Sequence, residues 1–399
     1  MRLKKLSLLF PFLCFNVFAA APSHEIDFYN LNFEYIEGNA LDVDFAAEYG
    51  TLSNFTLDEN DDDSQTISLQ PNLWVQALWD KSLLQAKVNI NHLSLLDIDD
   101  NDHTNINALG KYQYKITSNQ SLFLSAMYRN AYEYPGEGLS QGDIDNITVG
   151  DEKSNYFANA GFRYGSDSSV ARAEILVGQR GFEYETRRDI SSMLDVKAQY
   201  IQGHFDYLAS GKTYLSVKSE YEQLSYDQSV GADRDSLALL LGAKWRHSIF
   251  FKMEAYAGVQ QLSFDSDLLD DDKVTRWELD ALWSPTEFTE INVNARRRVV
   301  DATQTEDRFR IVENVLATLT HDFTDQFSAN FYVGYTEEEA IFPTYSRLDD
   351  YLLAGAKISY NVNHFFSIYI KDNFLRLSST EENLDFDKNH IVLGINVAI

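Results

Sequence analysis

Apolar and polar side chains alternate with a period of two along most of the chain. In residues 237–246, Leu237, Leu239, Leu241, Ala243 and Trp245 alternate with Ala238, Leu240, Gly242, Lys244 and Arg246. Residues 327–336 repeat the pattern with Phe327, Ala329, Phe331, Val333 and Tyr335, and residues 390–399 with Ile391, Leu393, Ile395, Val397 and Ile399. A period of two places each set on one face of a β-strand. About eighteen segments read this way, near 40–57, 65–79, 83–96, 104–116, 121–133, 154–165, 169–186, 191–208 and 212–226, then 235–247, 249–264, 274–283, 287–301, 306–320, 325–337, 347–361, 364–378 and 386–399.

The connections alternate in length. Tight turns fall at Asp80–Ser82, Thr117–Gln120, Gly165–Ser168, Ser210–Lys212, His247–Ser248, Ser284–Thr286, His321–Thr324 and Asn361–Asn363. Between them lie longer, acidic connections, among them Asp58–Asp63, Asp97–Asp102, Pro135–Lys153, Asp265–Lys273, Glu337–Ser346 and Ser379–Asp385. Short turns on one side and long loops on the other are the asymmetry of an outer-membrane barrel, with the long loops outside. Most segments also exceed the 9–11 residues or so that a tilted strand needs to cross the hydrocarbon. The expected fold is therefore an all-β, closed antiparallel transmembrane barrel of about 18 strands (range 16–18), spanning residues 40–399, with both termini in the periplasm. Aromatic residues gather near segment ends, as Trp277 and Trp283 or Phe365 and Phe366 do, which suits interfacial girdles.

The N-terminus sets the compartment. Arg2, Lys4 and Lys5 precede an apolar run from Leu6 to Phe18, and Val17 and Ala19 supply small residues for cleavage. This predicts a signal peptide over residues 1–19, too short to span a membrane as a helix. Pro11, Phe12 and Leu13 do not make a lipobox before Cys14, the one cysteine, which leaves with the leader. Residues 20–39 hold no single period; a periplasmic extension, a plug segment and an extra strand all stay open. No second apolar run is long enough for a membrane helix, which excludes a helical membrane protein.

Charge narrows the partners. The chain carries a formal charge of −28, and losing the leader makes it more negative, so nucleic acid is not an expected partner. The chemistry-bearing motifs are sparse. Eight histidines are scattered, and no Gly-x-Ser-x-Gly elbow is present, so no catalytic residues are assigned. Asp97-x-Asp99-x-Asn101 begins like a calcium loop but has Ala108 where the closing Glu belongs. Neither a metal site nor any other cofactor is expected. The basic residues say more. If the apolar set of each strand faces lipid, the other set faces the lumen. It contains the pore-lining candidates Lys111, Arg163, Arg172, Lys218, Lys244, Arg246, Arg296 and Arg298, with Lys87, Lys197 and Lys252 beside them and acidic neighbours such as Glu174, Glu220, Glu254, Glu278 and Asp280. They can pair across strands to hold the wall or form a selective surface for an anionic or hydroxyl-rich solute. Arg297 falls on the outward set, near lipid headgroups.

At the C-terminus, Gly394, Val397 and Ile399 fit a Gly-x-x-apolar-x-apolar terminal strand, resembling the signal read by the barrel-assembly machinery, with Ile399 where an aromatic is usual. The stretches AAEYGTLSNFTLDENDDDSQTISLQPNLWVQALWDKSLLQAKVNINHLSL and ARAEILVGQRGFEYETRRDISSMLDVKAQYIQGHFDYLASGKTYLSVKSEYE resemble the putative β-barrel porin family associated with exopolysaccharide and capsule synthesis. The resemblance implies an outer-membrane conduit or accessory channel for exopolysaccharide export. The expected partners are then outer-membrane lipid, lipopolysaccharide, the polysaccharide and its export proteins. A general or sugar-selective diffusion porin is the alternative. A constriction loop folded into the lumen would favour it, and Pro135–Lys153 is the one loop long enough. A structural or adhesion barrel and a surface hydrolase are more distant alternatives.

Overall fold

A computed structural model describes residues 38–57, 63–141, 147–166, 168–228, 233–248, 250–266, 269–304 and 307–399. The leader and the 20–39 segment fall outside these residues, apart from Gly38 and Asn39. The chain forms eighteen strands: β1 (Ala40–Leu52), β2 (Ser64–Leu78), β3 (Ser82–Leu95), β4 (His103–Thr117), β5 (Gln120–Glu133), β6 (Asp151–Tyr164), β7 (Ala171–Tyr184), β8 (Val196–Ser210) and β9 (Thr213–Tyr226) make one half. The other half is β10 (Arg234–Ser248), β11 (Phe251–Phe264), β12 (Asp272–Thr286), β13 (Thr289–Val300), β14 (Phe309–Asp322), β15 (Phe327–Ile341), β16 (Ser346–Asn361), β17 (Phe366–Ser379) and β18 (Phe386–Ala398).

Each strand pairs antiparallel with its neighbours in sequence, and β1 pairs with β18 from Asp44↔Ala398 to Leu52↔His390. The sheet is thus a closed cylinder. Closure matters because an open edge would leave backbone N–H and C=O groups unsatisfied in hydrocarbon. Ile399, the last residue, donates its N–H to Val43 O on β1 at 2.8 Å, so the seam is stitched to its end.

The period of two sorts the faces. On β10, Leu237, Leu239 and Leu241 are more than half exposed, whereas Ala238 and Leu240 are buried. Large exposed apolar residues on the outer face are what lipid requires. Two rings of exposed aromatics border this band. Trp79, Tyr164, Tyr207, Trp245, Trp283 and Tyr360 lie at the short-turn end, and Tyr49, Tyr128, Tyr221 and Tyr335 toward the loops. On β15 the rings are marked by Phe327 and Tyr335; the strand between them, tilted about 40°, rises about 20 Å.

Inside, aromatic rings lie over glycines of the next strand. Tyr369 pairs with Gly394, Tyr332 with Gly355 and Tyr256 with Gly242, and a Cβ on any of these glycines would overlap the ring. The rings therefore lie flat against the wall instead of projecting into the lumen.

Several strand ends differ from the sequence reading: β1 stops at Leu52 rather than at residue 57, and β6 starts at Asp151 rather than 154. Residues 337–341 continue β15, leaving only 342–345 as a loop: Glu338 is inward and ion-paired, so it behaves as a strand residue. Residues 191–194, expected to begin β8, instead close a short helix, α1 (Arg188–Ser191), and form a 3-10 turn. Arg188 there bonds the Asp195 carboxylate, bending the chain back over the barrel end.

Candidate functional site in the barrel lumen

Register places all eight pore-lining candidates on the inward face. Lys111 pairs with Gln85 and Ser125, Arg163 with Ser121 and Glu174, and Arg172 with Asp206. Lys218 pairs with Leu240, Lys244 with Glu254, Arg246 with Lys252, Arg296 with Glu278 and Arg298 with Val312. Lys87 and Lys252 share that face. Lys197 does not. Buried Val196, Ala198 and Tyr200 define the inward set of β8, so Lys197 points outward and meets Asp227 at 2.8 Å near the external rim. Arg297 also faces outward, bonded to Glu313 at 2.8 Å.

The inward side chains form two levels. In the lower, periplasmic level, the Asp206 carboxylate is shared. Arg172 Nη2 approaches it at 2.8 Å, Lys244 Nζ at 3.2 Å, and Ser216 donates its hydroxyl to Oδ1 at 2.5 Å. His204 Nε2 lies 3.0 Å from the same oxygen. Ser216 and His204 thus both turn to the acid; a serine nucleophile would instead need the histidine against its hydroxyl. Further up, Lys218 holds Glu278 at 2.6 Å and sits 3.9 Å from the centre of the Tyr256 ring, while Arg276 joins Glu220 and Glu278. Arg163 holds Glu174 at 2.6 Å, with Lys111 close by. Across the lumen, Glu48 accepts from Tyr369, Lys371 and Gln70.

The upper, external level is packed dry. Arg310 bonds Asp307 and Glu338, and all three side chains are nearly or fully buried. Arg180 and Arg234 converge on Asp301, Arg180 also holding Glu222. Lys153 and the Tyr184 hydroxyl share Glu133. Around these pairs lie apolar clusters, one built on Leu52, Phe55, Leu375 and Leu377, another on Tyr184, Leu194, Val196 and Tyr226.

Two connections turn into this level. The β5–β6 loop carries a 3-10 turn at Gly138–Ser140 with Ser140 fully buried. Leu139 packs on the cluster around Tyr184. Gln141 accepts a bond from Arg347 Nη2 on β16 at 2.8 Å, and its carbonyl accepts one from Gln304 of the β13–β14 connection at 3.0 Å. Arg347 is itself set by Asp349 at 2.9 Å. Glu137 faces Lys388 of β18 at 3.9 Å, and the Lys388 ammonium lies 3.3 Å from the centre of the Tyr134 ring. Burial pushes the Glu137 carboxyl above its ordinary range, and Lys388 opposes that shift. The loop thus reaches the wall on the far side of the lumen.

Sequence reasoning missed Arg180, Arg234, Arg276, Arg310 and Arg347. Arg180, Arg234 and Arg276 share strand parity with assigned inward residues on β7, β10 and β12, and extending the alternation to the strand ends would have found them; on β14 no residue was assigned that could have pointed to Arg310. Arg347 carries no such signal, because inward Leu353 and outward Leu352 make both faces of β16 apolar.

The remaining candidates have structural places. Asp97 and Asp102 accept backbone N–H groups of Gln65 and Leu95, and Asn101 bonds the Asp99 and Thr148 carbonyls, so the calcium-like segment builds a turn. Among the described residues, no group of three or more His, Cys, Asp or Glu side chains is arranged to hold a metal ion. Gly394 faces inward beneath Tyr369, while Val397 and Ile399 face lipid.

Residues 44–399 match the family model described as putative beta-barrel porin 2. No curated protein matches the chain. Among solved structures, the FrpB iron transporter from Neisseria meningitidis (F5-1 variant) is 8% identical over 91% of this chain and 83% of that one, with a TM-score of 0.46. The siderophore receptor PirA from Pseudomonas aeruginosa is 9% identical over 92% and 81%, with a TM-score of 0.42. Likeness at this level carries no argument about cargo.

Proposed function

Because the chain belongs to the putative beta-barrel porin 2 family, we propose that it is an outer-membrane diffusion channel for hydroxyl-rich solutes, narrowed at its external mouth by its own loops. The observation that carries this reading is the inward β5–β6 loop, pinned to the far wall through Gln141, Arg347 and Gln304. An inward loop sets a size limit, which a diffusion channel needs and a structural barrel does not. Below it, the wall offers fixed donors and acceptors in matched pairs, the kind of surface along which a hydrated sugar exchanges water for protein hydrogen bonds.

A second reading is the conduit for exopolysaccharide export, with the driving force supplied elsewhere. The feature that favours it is the cluster of Arg163, Arg172, Lys244, Arg246 and Lys252 on the β6–β11 side of the periplasmic mouth, where a cargo made inside the cell arrives. In that case the loop has to swing away for a polymer to pass.

Two measurements separate them. Purified protein in planar bilayers and sugar-loaded liposomes should conduct ions and admit small sugars. Deleting the gene should leave secreted polysaccharide unchanged if the channel is a diffusion porin, and reduce it if the barrel exports. A protein that neither conducts nor admits sugars, in a strain that secretes normally, would sink both readings.

A further inference from the structure

At the periplasmic end of the inner wall, Arg246 on β10 and Lys252 on β11 stand directly opposite each other in register. Both are inward by strand parity and both are exposed. Like charges directly opposite in a cross-strand pair repel and destabilise the pair. No carboxylate lies within 4.0 Å of either among the described residues. The chain has 61 acidic residues against 33 basic ones, so a carboxylate could easily have stood nearby.

The surroundings extend the imbalance. One step up the wall, Lys244 and Arg172 share the single Asp206 carboxylate, with Glu254 3.6 Å from Lys244. Arg163, on β6, continues the arc with Glu174. Among the described residues, the periplasmic mouth from β6 to β11 therefore presents more cationic than anionic groups to the lumen. The unmatched charge is greatest at Arg246 and Lys252, where water and a ligand reach it.

We propose that this arc is a docking site for an anionic saccharide, whose carboxylates bridge Arg246 and Lys252 at the periplasmic mouth. The proposal rests on the channel reading above and names its cargo class. A bridging carboxylate relieves the repulsion between the two cations, and the arginine fork can take it through two parallel bonds. Lys244 and Arg172, buried around Asp206 one step up the wall, add positive field behind the pair. Neutral sugars gain nothing from the pair.

Isothermal titration of the full protein in detergent micelles tests this directly. The probes are an oligogalacturonate, a neutral malto-oligosaccharide and inorganic phosphate. The wild type should bind the uronate oligomer, more weakly as salt rises, and bind the neutral oligomer and phosphate at least tenfold more weakly. Arg246→Glu with Lys252→Glu should weaken uronate binding at least tenfold, and Arg246→Lys with Lys252→Arg should largely retain it. If the charge reversal impairs folding, judged by loss of heat-modifiable gel mobility, Arg246→Gln with Lys252→Gln replaces it and should weaken binding in the same direction. Equal binding of neutral and anionic oligomers, phosphate binding as tight as uronate, or a folded neutralised variant with unchanged affinity would each overturn the proposal. Binding requires no conduction. A barrel that binds uronate but never conducts defeats the channel reading alone, and one that conducts but does not bind defeats only this proposal.

Discussion

Toward the external mouth, Glu338 and Asp349 are fully buried, and the arginines that hold them, Arg310 and Arg347, are nearly so. Toward the periplasm, Arg246 and Lys252 face the lumen exposed, and the Arg163–Glu174 pair is wetted by solvent. The same residue types thus serve two purposes on one wall. Above, charges are removed from water and must be matched, so they lock loops to strands. At the rim below, Arg246, Lys252 and Arg163 keep their water and can exchange partners, so they can meet a solute, whereas the Asp206 network behind them is buried. Burial, not residue type, separates a clamp from a contact surface.

The sharpest way to break this contrast is to remove a buried arginine. Arg310→Ala strands the carboxylates of Asp307 and Glu338 without water and should cost about 3–5 kcal/mol, seen as a lower denaturant midpoint in detergent. A loss below about 1 kcal/mol would mean that water reaches the upper level. Next in size is the wall itself. Gly394→Leu drives a side chain into the Tyr369 ring and should cost about 1–3 kcal/mol. Adding Tyr369→Ala should recover part of that loss if the ring contact is its cause.

A smaller effect is pH-dependent. Because burial raises the Glu137 carboxyl, the folded state takes up a proton before the unfolded chain does. Wild-type stability should therefore rise relative to Glu137→Gln as pH falls through the raised value. It should level off below the ordinary glutamate value of 4.5, measured as paired melting curves. A wild-type curve that instead loses ground on acidification would show that the Lys388 partnership dominates. The smallest effect belongs to the lower level. Arg163→Ala removes a half-exposed pair and should shift stability by under about 1 kcal/mol, in contrast to Arg310→Ala.

The barrel was legible in the sequence because lipid imposes one rule on every strand. Leu237, Leu239 and Leu241 announce their face, and Ser210–Lys212 announces a turn, without knowledge of any neighbour. Gly394 was singled out as part of a terminal-strand signal, but its packing beneath Tyr369 depends on a partner strand and was not read. The loop contacts were not legible. Gln141 meets Gln304 and Arg347, which are 163 and 206 residues away, and no local pattern encodes that meeting. In the middle of β16 both faces turn apolar, as Leu352 and Leu353 do, so alternation there does not report the direction of Arg347. Lys197 was misjudged for a related reason. Near the rim an outward charge meets water and Asp227 rather than hydrocarbon, and the cost that would have marked its face is absent.

Single-channel conductance of the wild type against Arg347→Ala addresses the central claim most directly. Removing Arg347 takes away the bond to Gln141 and loosens the β5–β6 loop at that wall, with the Glu137–Lys388 and Gln304 contacts left, while the strands remain paired. Conductance should rise, with a larger size limit for sugars in liposome swelling. Conductance and size limit identical to the wild type, in a folded variant, would contradict a loop-set constriction at the external mouth.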